Sequence, residues 1–234
     1  MNLRPLHVVT VASGIVLLGC AVKTATVPVP PVGNPPTVST SAPLPLDAGH
    51  RVGPPDIYPR VDINPGLPNP DITQANIAQN ICNKGWSTSS IRPPSSYTTA
   101  LKKQQITQYG FTDKNTADYE EDHIISLENG GHPRDPKNLY PEAYNTMING
   151  QRIGAHEKDA VENYLHNGIC LGIPNAKFSS GPKPPRAITL TQGQTILAND
   201  WYACYLHMKK TRELYLMFCV VRNHAACPCA LRKS

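Results

Sequence analysis

More than half of the 24 prolines fall between Pro28 and Pro70, and a segment punctuated in this way cannot run as a helix or as an inner strand. The residues between them, from Ala21 onward, are chiefly valine, threonine, serine and glycine with scattered charge. Such a composition buries too little apolar surface to offset the entropy of ordering the chain. Residues 20–70 are therefore expected to form a disordered, proline-rich tether, followed by one folded domain over 71–207 and a basic, cysteine-containing tail over 208–234. In polyproline II geometry, at about 3.1 Å per residue, a tether of this length reaches on the order of 150 Å.

The first residues give that tether an attachment. Arg4 precedes an apolar stretch from Val8 to Leu18, which closes on Leu17-Leu18-Gly19-Cys20. The stretch is shorter than the roughly 18 to 20 residues that span a bilayer. It resembles a bacterial lipoprotein signal peptide over residues 1–19, with Cys20 as the lipidated first residue of the mature chain; the alternative is a plain secretory signal with an incidental cysteine. Lipidation at Cys20 implies a membrane-anchored protein of the bacterial cell envelope, facing outside the cytoplasmic membrane.

Charge narrows the chemistry of the domain. Six of the 22 Lys and Arg but only one of the 17 Asp and Glu lie beyond residue 208, so the rest of the chain carries both signs in equal number. A partner with a phosphate backbone would then meet a local basic groove and bind in a salt-sensitive way, because no globally basic face is present to hold it.

The most informative stretch runs from Tyr119 to Glu142. An Asp122-His123 pair leads into Ile124, Ile125 and Leu127; Asn129-Gly130-Gly131 then turns the chain, and Lys137 to Tyr140 returns it. This reads as strand, loop and strand. Asn138, able to donate and accept at once, is suited to pinning the loop. Asp122-His123-Ile-Ile, then Leu127, Gly130-Gly131 and Asn138-Leu139 at this spacing resemble an HNH nuclease, and the resemblance extends from about Asn69 to about Tyr205. The flanks Gly85-Trp86, Arg92 to Tyr97 and Gly154 to Asp159 are similar to secreted bacterial members of that group.

The resemblance implies an α+β fold, a mainly helical domain around a ββα-metal finger. It implies catalytic roles for His123 as general base and Asn138 as hairpin brace, and a divalent metal, Mg2+ in the first place with Mn2+ or Zn2+ as alternatives. The metal would be held by Asp122 and a residue on the following helix, for which His156 competes with Asn145 and Asn149. The substrate implied is DNA, hydrolysed at its phosphodiester bonds. Ser126 departs from the pattern, since similar proteins often have proline there. His132 and Arg134 are open to two readings, phosphate contact or solvation. Adjacent strand residues point to opposite faces, so Asp122 and His123 would need a twist or bulge to reach one ion.

Around this hairpin the residues predict helices. Thr73 can cap a short helix through Ile77, Ile81 and Cys82. After Arg92-Pro93-Pro94, a helix runs from Ser95 or Ser96 to Tyr109, with Gly110 as its cap; Lys102 and Lys103 beside its apolar face are read as a solvated flank, with phosphate contact as the alternative. An irregular stretch to Gly150 precedes a helix from about Gln151 to Asn167 carrying Val161 and Leu165. Thr189 to Gln192 has the pattern of a capping box, opening a last helix whose apolar face is Ile196, Leu197, Trp201 and Leu206, with Trp201 in the core.

Setting Cys20 aside leaves an even number of the seven cysteines, in a compartment that permits disulfides. Cys82 and Cys170 bracket the hairpin and are the natural pair; two reduced core thiols are the alternative. Cys204, Cys219, Cys227 and Cys229 lack zinc-ribbon spacing. Two classes of function follow: a metal-dependent endonuclease outside the cytoplasmic membrane, or an inactive HNH-like surface lipoprotein that keeps the finger as a binding or structural module.

Overall fold

The computed structural model describes residues 51–211, so Cys20, most of the tether and the tail beyond residue 211 lie outside the described residues. Within them the protein is α+β. Helix α1 (Ser95–Gln108) is followed by β1 (Tyr119–His123), which pairs antiparallel with β2 (Leu139–Ala143). A second small antiparallel sheet joins β3 (Thr146–Ile148) to β4 (Gln151–Ile153), and helices α2 (Ala155–Ile169) and α3 (Leu190–Thr211) complete the order. No helix among the described residues is long and apolar enough to cross a membrane.

The ordered domain starts well before Asp71. Ile57 and Tyr58 are buried in the core, the Trp201 indole donates to Ile57 O at 3.3 Å, and the Tyr58 hydroxyl donates to Asp200 Oδ1 at 2.5 Å. Arg51 lies over the Tyr58 ring and donates to Asn199 O at 2.8 Å. Further along, Gly66 N–H donates to Lys137 O, and Pro68 bridges to Gly131. The prolines follow an irregular path in which a missing N–H breaks no ladder. Average composition understated two apolar anchors, and residues 51–70 belong to the domain.

Local hydrogen bonding explains the next difference. The segment from Thr73 to Cys82 is a chain of turns, with Asn76 Oδ1 accepting from Thr73 N and Asn80 Oδ1 from Ile81 N. Asparagine side chains here compete with a helix for the backbone donors. Ile77, Ile81 and Cys82 are nevertheless buried, as their spacing requires.

Helix α1 begins directly after Pro93-Pro94 and ends before Gly110, whose φ of 72° closes the turn. It packs on the hairpin through buried Ile106 and through Gln105, which donates to Leu139 O at 3.0 Å. Lys102 is not a solvated flank: its ammonium donates to the carbonyls of Thr116 and Tyr119 and ties α1 to the start of β1.

The stretch expected to be irregular before Gly150, together with the expected first turn of the next helix, is the β3–β4 hairpin. Asn149 (φ 50°) and Gly150 (φ 78°) make its two-residue turn, both in the left-handed region. Helix α2 starts after it, with Glu157 Oε2 accepting from Gly154 N. Val161, Leu165 and Ile169 are buried against α3. The capping box of α3 forms: Thr189 Oγ1 accepts from Gln192 N, and Gln192 Oε1 accepts from Thr189 N. The helix kinks at Asp200. Leu197 and Trp201 enter the core, whereas Leu206 is 42% exposed and leaves the apolar face. A disulfide joins Cys82 to Cys170, with Cα atoms 5.4 Å apart, fastening the turn segment to the end of α2.

Candidate active site

The loop between β1 and β2 is held from inside by Asn138, which is fully buried. Its Oδ1 accepts from Leu67 N (3.1 Å) and Ile125 N (3.0 Å), and its Nδ2 donates to Ile125 O (2.9 Å) and His132 O (3.0 Å). One side chain thus satisfies four backbone groups on three segments. Gly131 passes so close that a Cβ there would lie 1.7 Å from Ile125 O, so no other residue fits. Buried Ser126 accepts from Asn129 Nδ2 at 2.7 Å, a bond that proline at this position could not make.

This brace fixes the end of β1. Strand pairing is regular, with Asp122 opposite Tyr140 and His123 opposite Leu139, so no bulge brings the two side chains to one face. His123 is 3% exposed, and its Nε2 lies 3.0 Å from Pro133 O. A carbonyl only accepts, so Nε2 carries the proton, and in the neutral ring Nδ1 holds the free lone pair. Burial pushes the imidazole below its ordinary value; Arg92 and Lys158 act in the same direction, against the Pro133 carbonyl and the Asp122 charge.

His123 forms part of a cleft of about 310 Å³ between β1 and the start of α1. Ser95 and Thr98 of α1, exposed Arg92, Glu121 and Tyr144 share its wall. Helix α1 opens after Pro94 with no side chain capping its first turn; the Tyr97 and Thr98 N–H groups donate to Pro94 O, which leaves those of Ser95 and Ser96 for an anion. Glu121 lies two residues before His123, on the same face of β1. Both its carboxyl oxygens are buried without a partner, and burial pushes the carboxyl up to about 8, with the Asp122 charge adding to it. At neutral pH Glu121 therefore holds a proton and adds no charge to repel phosphate.

Asp122 faces the other way, toward α2. Its Oδ2 accepts from the Lys158 ammonium at 2.5 Å. The same ammonium donates to His123 O at 2.8 Å and to Glu162 Oε1, and lies 4.0 Å from Glu142 Oε2. Burial is the largest influence on Asp122 and works against its charge, but Lys158, Glu142 and His123 together outweigh it and hold the carboxyl below the usual range, while burial pushes Glu142 and Glu162 up. Asp122 is thus the ionised partner of a lysine only 1% exposed.

The other implied ligands lie elsewhere. His156 stands exposed in the first turn of α2; its ring meets Tyr144 at 5.4 Å between centroids and Asp159 at 3.9 Å. Asn149 is the turn residue of the β3–β4 hairpin, and Asn145 is exposed between β2 and β3. Since a buried ammonium already occupies the side of Asp122 that faces α2, the residues around it do not fit a divalent ion as arranged. His132 Nδ1 accepts from Arg134 N and Asp135 N, which makes it a loop former, and Arg134 is exposed. Among the described residues one group of three donors lies close enough to share an ion: Cys82, Cys170 and His166, within 4.8 Å of one another. The two sulfurs are bonded to each other and His166 Nε2 faces Ile81 O, so this set would serve an ion only in a reduced chain.

Lys158, Glu162, Glu142 and Glu121 were not anticipated from the residues. A signal for the first two was present: Ala155, Lys158, Glu162, Leu165 and Ile169 fall on one helical stripe, and a Lys–Glu pair four apart on an apolar stripe marks a buried ion pair. Comparisons with protein-family models, with curated proteins and with solved structures found no match to this chain.

Proposed function

We propose that β1, β2 and α2 form an HNH-type finger and that the protein hydrolyses phosphodiester bonds of DNA, with His123 as general base. The observation that carries the reading is the contact of His123 Nε2 with the Pro133 carbonyl, which sets the tautomer of the ring. Its Nε2–H is spent on Pro133 O, so Nδ1 is left as an acceptor in a ring with the cleft as its outlet. In this reading the phosphate lies against the open first turn of α1 and the Arg92 guanidinium, both of which favour a developing negative charge. His123 Nδ1 takes a proton from the attacking water. Glu121, carrying a proton on the same face of the strand, adds no charge against the phosphate, and the leaving oxygen takes its proton from water. Asn138 keeps the base in place by holding the loop that contains Pro133.

A second reading is favoured by one specific observation. Lys158 fills the corner of the finger where the resemblance calls for a metal. On that reading the protein is an HNH-like binding or structural module of the cell envelope, without activity. Incubating the purified chain with supercoiled plasmid separates the two: nicking, with Mg2+ or with chelator present, is the expected result, and intact plasmid under both conditions favours the module. Under either reading the proposed attachment is a lipid on Cys20, and an unmodified Cys20 in mass spectra of the membrane fraction would count against it.

A further inference from the structure

An HNH-type finger is a frame built around a cation, and here the cation is part of the chain. We propose that Lys158 is the resident cation of this finger: its ammonium takes the place of a divalent ion at Asp122, so the native chain binds none there, and removing the ammonium opens an oxygen-lined site that does. The proposal rests on reading β1, β2 and α2 as such a finger.

An ammonium has three hydrogens, and all three of Lys158 are used, on Asp122 Oδ2, His123 O and Glu162 Oε1. Glu142 Oε2 lies 4.0 Å away as a further oxygen. A backbone carbonyl and several carboxylates around one point are a hard, all-oxygen donor set, the kind that selects Mg2+, Mn2+ or Ca2+ over softer ions. A free ion entering this set would have to expel an ammonium tethered five bonds from the helix backbone. It would leave that charge unpaired in a region where Lys158 is 1% exposed. The tether gives the ammonium an advantage that no dilute ion matches. The arrangement also reaches the cleft, since the carbonyl bonded to Lys158 belongs to His123 itself. The lysine therefore performs the metal's structural task of fixing the end of β1.

The test is a Mn2+ titration of the full chain, followed by the paramagnetic signal of the free ion and by thermal melting, neither of which depends on cleavage. For the native protein we expect no Mn2+ binding that is lost on Asp122→Asn, and the same melting temperature in Mn2+ and in EDTA. For Lys158→Ala we expect one equivalent of Mn2+ bound and a melting temperature raised by the ion, both lost in Asp122→Asn/Lys158→Ala. Native binding that disappears on Asp122→Asn overturns the proposal, as does a folded Lys158→Ala chain that takes up no Mn2+. Should Lys158→Ala not fold, the native titration still decides whether Asp122 is closed to the ion. An inactive protein with the expected binding pattern would remove the hydrolase reading and leave this one standing; an active protein with Asp122-dependent Mn2+ binding would do the reverse.

Discussion

Replacing Asn138 with alanine removes four hydrogen bonds from a site with no solvent access. A net worth of about 1 kcal/mol for each puts the loss near 4 kcal/mol. Water entering the vacated space would return part of it, and backbone groups left unpaired would add to it. Against a total of about 5–15 kcal/mol for an ordinary domain, this is a large fraction. At about 2–4 °C per kcal/mol for a chain of this size, the melting temperature should fall by roughly 8–16 °C. Asn138→Asp sharpens the test, because a carboxylate keeps the two acceptor bonds but turns two donations, to Ile125 O and His132 O, into repulsions. At neutral pH it should cost at least as much as alanine, and below about pH 4, where the acid gains a proton, it should recover part of the difference. Circular dichroism melts and urea unfolding of the three proteins give the answer. A loss under about 1 kcal/mol for alanine, or an aspartate variant as stable as the native protein at neutral pH, would show that the loop is held by something other than this side chain.

Three further outcomes follow from the same structure. Cys82→Ala/Cys170→Ala opens a loop closed across 88 residues, for which chain entropy gives about 4–5 kcal/mol; urea unfolding in which the double variant matches the native protein would refute it. Because the folded-state value of Glu121 is raised from the ordinary 4.5 to about 8, the stability it contributes is full below its unfolded value and is lost as pH rises through the folded one. Glu121→Gln, permanently neutral, should therefore gain on the native protein from about pH 5 to about pH 9, and a flat or falling difference in urea midpoints would contradict the raised value. His156→Ala should leave melting and plasmid cleavage as in the native protein, since the ring is exposed and meets only Tyr144 and Asp159; a loss of cleavage would return His156 to the site.

Local chemistry made much of this domain readable in advance. Helix α1 follows from two prolines before it and a glycine after it, the capping box of α3 from Thr189 and Gln192, and the loop brace from Asn138 seven residues after a double glycine. The residues place β1 and β2 close to where they lie, but Ile124 to Leu127 fall beyond β1, where the Asn138 carbonyl and side chain turn the chain inward. What could not be read depends on long-range partners. Tyr58 and Arg51 are ordered by Trp201 and the residues around the α3 kink, nearly a whole domain away in the chain. The pairing of Lys158 with Glu162 is written in their spacing, but its link to Asp122 spans two elements and cannot be read from either. The Asn149-Gly150 turn was a missed local signal, and with it Asn149 passes from candidate ligand to turn former.

His123 as the base is the centre of the proposed chemistry. Single-turnover cleavage of plasmid by the native chain, by His123→Ala and by His123→Gln, measured across pH, tests it most directly. Loss of proton transfer should lower the rate by about 10²- to 10⁴-fold in both variants, with folding unchanged by circular dichroism. The native rate should rise with pH through a value below the ordinary 6.5 of histidine, because burial favours the neutral ring. Cleavage by either variant at the native rate, with the same pH profile, would contradict the assignment.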